Sequence, residues 1–103
     1  MKLMGGTGYD LDGTLEPGKP VPADCAAVIS GRTFREWDDR CERIADQVPI
    51  FIRGVGALGD RQAAGEFKVQ MIRSLGLSAF VEDDPLQAQI IRDGCPGVTV
   101  REP

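Results

Sequence analysis

Short apolar runs alternate with stretches of helical period along the whole chain, and this alternation constrains the fold more than any other feature. The runs are Leu3–Asp10, Ala26–Ser30, Pro49–Arg53, Ala79–Glu82 and Val98–Arg101, each of a length suited to a strand. The stretches between them predict helices over roughly 34–47, 65–75 and 85–93. In the first, Phe34, Trp37, Cys41, Ile44 and Val48 fall on one stripe, and Thr33 followed by Glu36 has the form of a capping box. The second carries Phe67, Met71, Ile72 and Leu75 and stops at Gly76. The third has Asp84 as its N-cap, Pro85 at its first position and Gly94 at its end. Strands that alternate with helices predict an α/β fold with parallel pairing.

One interval breaks the pattern. Between the first two strands lies "LEPGKPVPADC", with prolines at positions 17, 20 and 22. A parallel crossover ordinarily takes about a dozen residues or more, usually as a helix. This segment is too short and too proline-rich for one, so one sheet face is expected to be under-covered. A homodimer through that face is expected in turn.

Composition removes whole classes of chemistry. The chain has 103 residues, which predicts one domain over 1–103. It has no histidine, and Cys25, Cys41 and Cys95 form no CxxC pair. The common zinc sites, haem attachment and Ser–His or Cys–His catalysis are thereby excluded. The cysteines are expected to be reduced, buried fillers of a cytoplasmic protein. What chemistry exists must run on carboxylates, hydroxyls, Lys, Arg and metal. A net charge of −4 argues against a large basic face that coats nucleic acid, but not against a grip on one strand end. No run of about 18 apolar residues suits a membrane span. The opening "MKLMGGTGYD" has one lysine and reaches an acid by Asp10, unlike a secretion signal.

The stretch "GYDLDGTLEPG", residues 8–18, carries the strongest chemical signal: two carboxylates, Asp10 and Asp12, directly after an apolar run. A calcium loop starting at Asp10 fails, because glycine falls at its fourth position and Val21 at its twelfth. A dinucleotide loop starting at Gly6 fails at Leu11. A complete G-x-G-x-x-G does occur at Gly54, Gly56 and Gly59, with Glu82 in the place of a ribose-binding acid. Its strand is third in the chain, its helix is expected several residues after Gly59, and Glu82 comes about eight positions late. A loop without a dinucleotide fits better.

What remains is Asp-x-Asp-Gly-Thr after a strand, and this resembles the first motif of the haloacid dehalogenase superfamily of phosphotransferases. "AAVISGRT", Lys68 and "AFVEDDPLQA" supply the family's other three motifs in order. The resemblance spans roughly residues 5–101. It implies a minimal Rossmann-like three-layer α/β/α domain with a parallel five-stranded sheet in the order 3-2-1-4-5. It further implies Asp10 as nucleophile, Asp12 as general acid and base, and Thr14, Ser30 and Gly31 as phosphate-binding positions. Lys68 would neutralise the nucleophile and a phosphate oxygen. Asp10, Asp12 and Asp83 would hold Mg²⁺, with Glu82 supporting Asp83 from behind, while Asp84 serves as a helix cap.

The intervals from Thr14 to Ser30 and from Arg32 to Lys68 leave no room for a cap domain, so an open site is expected. "SGRTFREW", "FIRGVGALGDRQAAGEFK" and "FVEDDP" are similar to the 3′-phosphatase domain of bacteriophage polynucleotide kinases. On that likeness Arg32, Arg53 and Arg61 would line the mouth and hold backbone phosphates. The implied function is Mg²⁺-dependent phosphomonoester hydrolysis on a 3′-phosphate of a polynucleotide or nucleotide. The alternatives are a small-metabolite phosphatase and a catalytically silent binding module.

Overall fold

The computed structural model describes residues 4–103; Leu3, where the first strand is expected to begin, lies outside them. Five strands form one parallel sheet in the order β3-β2-β1-β4-β5. They are β1 (Thr7–Tyr9), β2 (Cys25–Thr33), β3 (Ile50–Gly54), β4 (Ala79–Val81) and β5 (Thr99–Arg101). Three helices connect them: α1 (Asp39–Ala45), α2 (Arg61–Leu75) and α3 (Pro85–Gly94). This is the minimal Rossmann-like α/β architecture, with the expected strand order. Strand β1 is shorter than its sequence run because Gly5 and Gly6 take positive φ, 68° and 79°, which no strand continues.

The helices divide unequally between the two faces. On one face α2 and α3 pack over Ile29, Phe80, Phe51 and Val100, and bring Ile72 and Ile91 into a core with Leu77 and Cys95. Among the described residues the other face has only α1. There Cys41 and Ile44 meet Leu11, Cys25 and Val28, while Leu15 and Val21 of the proline-rich crossover fill the space a helix would occupy. The thin coverage follows from the missing helix, and the loop seals the half of that face over β1 and β2. Over β4 and β5 the same face presents Thr99 and Arg101, both exposed. Arg101 pairs with Asp24 at 3.3 Å, and Asp24 also accepts from the Tyr9 hydroxyl at 2.6 Å. All three cysteines are free and buried, as their composition suggests.

Two helix starts differ from expectation, each for a local reason. The stretch 34–47 splits. Phe34–Glu36 forms one 3-10 turn, closed by the Thr33 amide donating to Glu36 Oε1 at 2.9 Å. Trp37 is then extended, and Asp38 caps α1 by accepting from the Cys41 amide at 3.1 Å. The split takes Phe34 out of phase with the buried stripe and leaves it exposed. Helix α2 starts at Arg61 rather than near 65, because Asp60 accepts from the Ala63 amide at 2.9 Å and nucleates an extra turn. Helix α2 thus follows Gly59 closely, and that objection to a dinucleotide loop falls. The position of β3 at the sheet edge still argues against one. Helix α3 matches its reading: Asp84 caps it, and Pro85 begins it.

Candidate active site

In a parallel sheet the register carries side chains from neighbouring strands to one point. Tyr9 pairs with Val81, and the Asp10 amide donates to the Val81 carbonyl at 2.9 Å, so the ladder runs one residue beyond each assigned strand. Asp10 and Glu82 therefore leave the carboxyl ends of adjacent central strands side by side. The topological reversal at β1 puts this pair where open α/β sheets hold their ligands. Helix α2 crosses beneath and delivers Lys68 between them.

Lys68 is 2% exposed and fully engaged. Its Nζ donates to Asp10 Oδ1 at 2.8 Å, to Glu82 Oε1 at 2.6 Å and to Gln87 Oε1 at 2.6 Å. Two buried carboxylates thus share one buried ammonium. Burial alone would lower the Lys68 pKa, but the charges of Asp10 and Glu82 outweigh it and hold the amine above its ordinary value. Burial has the opposite effect on Asp10 and pushes it up to about 8, opposed by Lys68 and reinforced by Glu82. The second oxygen of Asp10 accepts from the Thr14 hydroxyl at 3.3 Å. The second oxygen of Glu82 accepts from the Asp84 amide at 3.3 Å, so both ends of Glu82 are held.

Asp83 completes the acidic side. Carboxylate oxygens of Asp10, Glu82 and Asp83 lie within 4.8 Å of one another, with Asp83 exposed. Gly13 makes this approach feasible: its φ is 80°, and a Cβ there would fall 2.0 Å from Asp83 Oδ2. The donor set is oxygen only, which suits a hard cation such as Mg²⁺ or Ca²⁺ and not zinc or copper. Asp83, together with Asp10 once ionised, brings negative charge that the one lysine does not balance, and such a cation complements it. The residues present fit the group that the sequence implies, with one difference. The Asp12 side chain is not in this cluster.

Asp12 turns toward β2 instead. Arg32 donates to it in bidentate fashion, Nε to Oδ2 at 3.0 Å and Nη2 to Oδ1 at 2.8 Å. The same guanidinium reaches Asp38 Oδ2 at 2.9 Å and the Glu36 carbonyl at 2.8 Å. The Arg32 hydrogen bonds hold Asp12 below the usual carboxylate range, against the effect of burial, and hold Asp38 down to about 2. Ser30 is buried at the cleft wall, its Oγ accepting from the Arg32 amide at 3.1 Å.

The remaining predicted positions have other employment. Arg53 donates to the carbonyls of Gly31, Val55 and Ala57, and so braces the 54–58 loop. Arg61 forms a bidentate pair with Asp84 at 2.7 and 2.8 Å, which holds the Asp84 carboxyl low. A Cβ on Gly31 would fall 2.3 Å from Ala64 Cβ, so this glycine serves the close packing of β2 on α2. Still, Asp10, Asp12, Ser30, Arg32, Lys68 and Asp83 all line one open cleft of about 240 Å³.

Gln87 was not singled out by sequence reasoning. It is buried, accepts from Lys68, and donates to Asp84 Oδ2 at 3.3 Å. It therefore links the lysine to the α3 cap and to Arg61. The one available signal was its position, three residues after Asp84 on the first turn of a helix that starts at the site.

Comparison of the chain with protein-family models, with curated proteins and with solved structures found no match.

Proposed function

We propose that this chain is a phosphomonoester hydrolase of the haloacid dehalogenase kind, working through an aspartyl-phosphate. The observation that carries the reading is the buried Lys68 held between Asp10 and Glu82, with Asp83 beside them, at the carboxyl ends of β1 and β4. Asp10, Asp83 and, through its fixed orientation, Glu82 would hold Mg²⁺. When bound, the ion supplies positive charge that favours the ionised Asp10 and offsets its repulsion with a phosphate.

The chain's own residues do the rest. The Asp10 oxygen not held by Lys68 attacks phosphorus as the ester P–O bond breaks. The leaving oxygen takes a proton from Asp12. In the second half Asp12 takes a proton from water, the water oxygen attacks phosphorus, and the bond to Asp10 breaks to release phosphate. Arg32 bridges to Asp12. Its transfer to a phosphate oxygen would leave Asp12 able to take up the proton that the first half consumes. The absence of a cap favours a substrate that brings its own bulk, with a 3′-phosphorylated nucleic-acid end the preferred class and a small metabolite the rival.

Phosphate release from a 3′-phosphorylated oligonucleotide, with magnesium or with chelator, tests the reading in wild type and Asp10→Asn. Turnover that requires both the metal and Asp10 is expected. A second reading, a silent module that binds metal, draws on the closed Arg32–Asp12–Asp38 pairing, which neutralises the acid and the phosphate-binding cation together. Magnesium binding by calorimetry without release from any phosphomonoester would favour it.

A further inference from the structure

Three of the most exposed large apolar side chains among the described residues sit together. Phe34 is 69% exposed, Val55 72% and Leu58 61%. Single exposed apolar residues are ordinary, but these three line one groove, formed by the turn after β2 and the loop after β3. The groove is built around the aromatic ring. A Cβ on Gly54 would fall 3.0 Å from two Phe34 ring atoms, and Gly54 has a φ of 86°, so glycine lets the loop pass beneath the ring.

Two further observations identify the occupant. The first is continuity. The segments that wall the groove, 33–35 and 54–58, are flanked in the chain by those that wall the active-site cleft, with Gly31, Arg32 and Glu36 on one side and Arg53, Gly59 and Asp60 on the other. A ligand whose phosphate sits in the cleft and whose body extends past β2 and β3 meets the groove next. The second is charge. Among the described residues, the single charged side chain lining the groove is Arg35, a cation on a chain of net charge −4. An apolar, aromatic surface with one arginine complements a flat base joined to a phosphate. A second copy of this acidic chain brings no such match.

Resting on the phosphatase reading of the cleft, we infer that the Phe34–Val55–Leu58 groove seats the terminal base of a single-stranded nucleic acid, stacked on Phe34. Arg35 meets the adjoining backbone phosphate. The groove makes no use of base edges, so recognition is tolerant of sequence.

The test uses wild type, Phe34→Ala and Phe34→Trp; an exposed side chain can be changed without loss of the core. The probe is a 3′-phosphorylated oligothymidylate whose last base is fluorescent 2-aminopurine. In chelator, where no turnover occurs, its quenching and affinity are measured by titration. Loss of a stacked base is expected to weaken binding by about tenfold in Phe34→Ala, and Phe34→Trp is expected to restore it. With magnesium, the ratio of kcat/KM for the oligonucleotide to that for glycerol phosphate is expected to fall by about tenfold in Phe34→Ala. If wild type hydrolyses both substrates and Phe34→Ala changes neither affinity nor this ratio, the groove assignment is wrong and the phosphatase reading stands. If the base binds at Phe34 but no phosphate is released, the groove assignment stands and the phosphatase reading falls. Sedimentation as a dimer that Phe34→Ala dissociates would make the groove a self-interface and overturn the inference.

Discussion

Lys68 is the side chain on which the site depends. Helix α2 buries it against two carboxylates, and removing one partner of a buried ionic group leaves the others uncompensated. Lys68→Met is therefore expected to lower stability by about 3 kcal/mol or more in urea denaturation, as well as to end turnover. Gln87→Leu keeps both carboxylates on Lys68 and removes one neutral acceptor, so its cost should be smaller, about 1 kcal/mol. Asp10 gives a pH signature. Its carboxyl titrates at about 8 in the folded chain against an ordinary 3.8. The folded state thus holds this proton more tightly, and between those values stability falls as pH rises. Asp10→Asn removes the charge while Lys68 keeps Glu82. Its thermal midpoint should match wild type near pH 4 and exceed it increasingly toward pH 8. Magnesium should raise the wild-type midpoint at the upper end and leave the variant where it is. A variant advantage that is constant across pH would show that burial does not hold the Asp10 proton.

Between elements, the contact that sets the site is β2 on α2. Gly31 meets Ala64 so closely that a methyl group would clash at 2.3 Å, and the approach of this helix to the sheet fixes where Lys68 emerges. Gly31→Ala is expected to destabilise the domain by about 1–3 kcal/mol through overpacking. Ala64→Gly on the same background should recover part of that loss despite its own helix cost of about 1 kcal/mol. Chemical denaturation of the two single variants and the double variant measures the coupling. Elements of this kind were partly legible in the sequence. The strand–helix alternation, the Asp84 cap with Pro85, and the stop at Gly76 are local signals, and each appears where the residues place it. Asp10, Lys68, Glu82 and Asp83 were legible only through the resemblance of their motifs; the fold gathers them because Asp10 and Glu82 leave adjacent central strands and α2 carries Lys68 between them. The split of the first helix was not legible, since Thr33–Glu36 and Asp38 offer two caps a few residues apart and spacing alone does not say that both are used. Nor were the pairings of Arg32 with Asp12 and Arg61 with Asp84, 20 and 23 residues apart. Spacing along a chain marks residues that face each other on one helix; it carries no mark for partners that only the tertiary fold brings together.

At the scale of the molecule, the same pairings limit how the protein could hold the nucleic acid proposed as its ligand. A strand bound along a basic surface displaces many counterions, and its affinity collapses with salt. Here the three arginines at the cleft already have partners: Arg32 on Asp12 and Asp38, Arg53 on three carbonyls, and Arg61 on Asp84. The net charge of −4 adds a repulsive background. On the proposed function such a molecule would hold a strand end through the terminal phosphate, the adjoining phosphate at Arg35, one base and a metal, without tracking the backbone further. Affinity for a 3′-phosphorylated strand is therefore expected to stop rising beyond about two nucleotides, the reach of the cleft and groove together. Raising salt from about 50 to 200 mM should weaken binding only about three- to tenfold, the slope of one or two neutralised phosphates. Titration of a length series at both salt concentrations reads the two quantities at once. Gains that continue past four or five nucleotides, with a loss of hundreds-fold across that salt range, would mean that the arginines exchange their internal partners for the strand. The closed Arg32–Asp12–Asp38 arrangement would then be a resting state that nucleic acid opens.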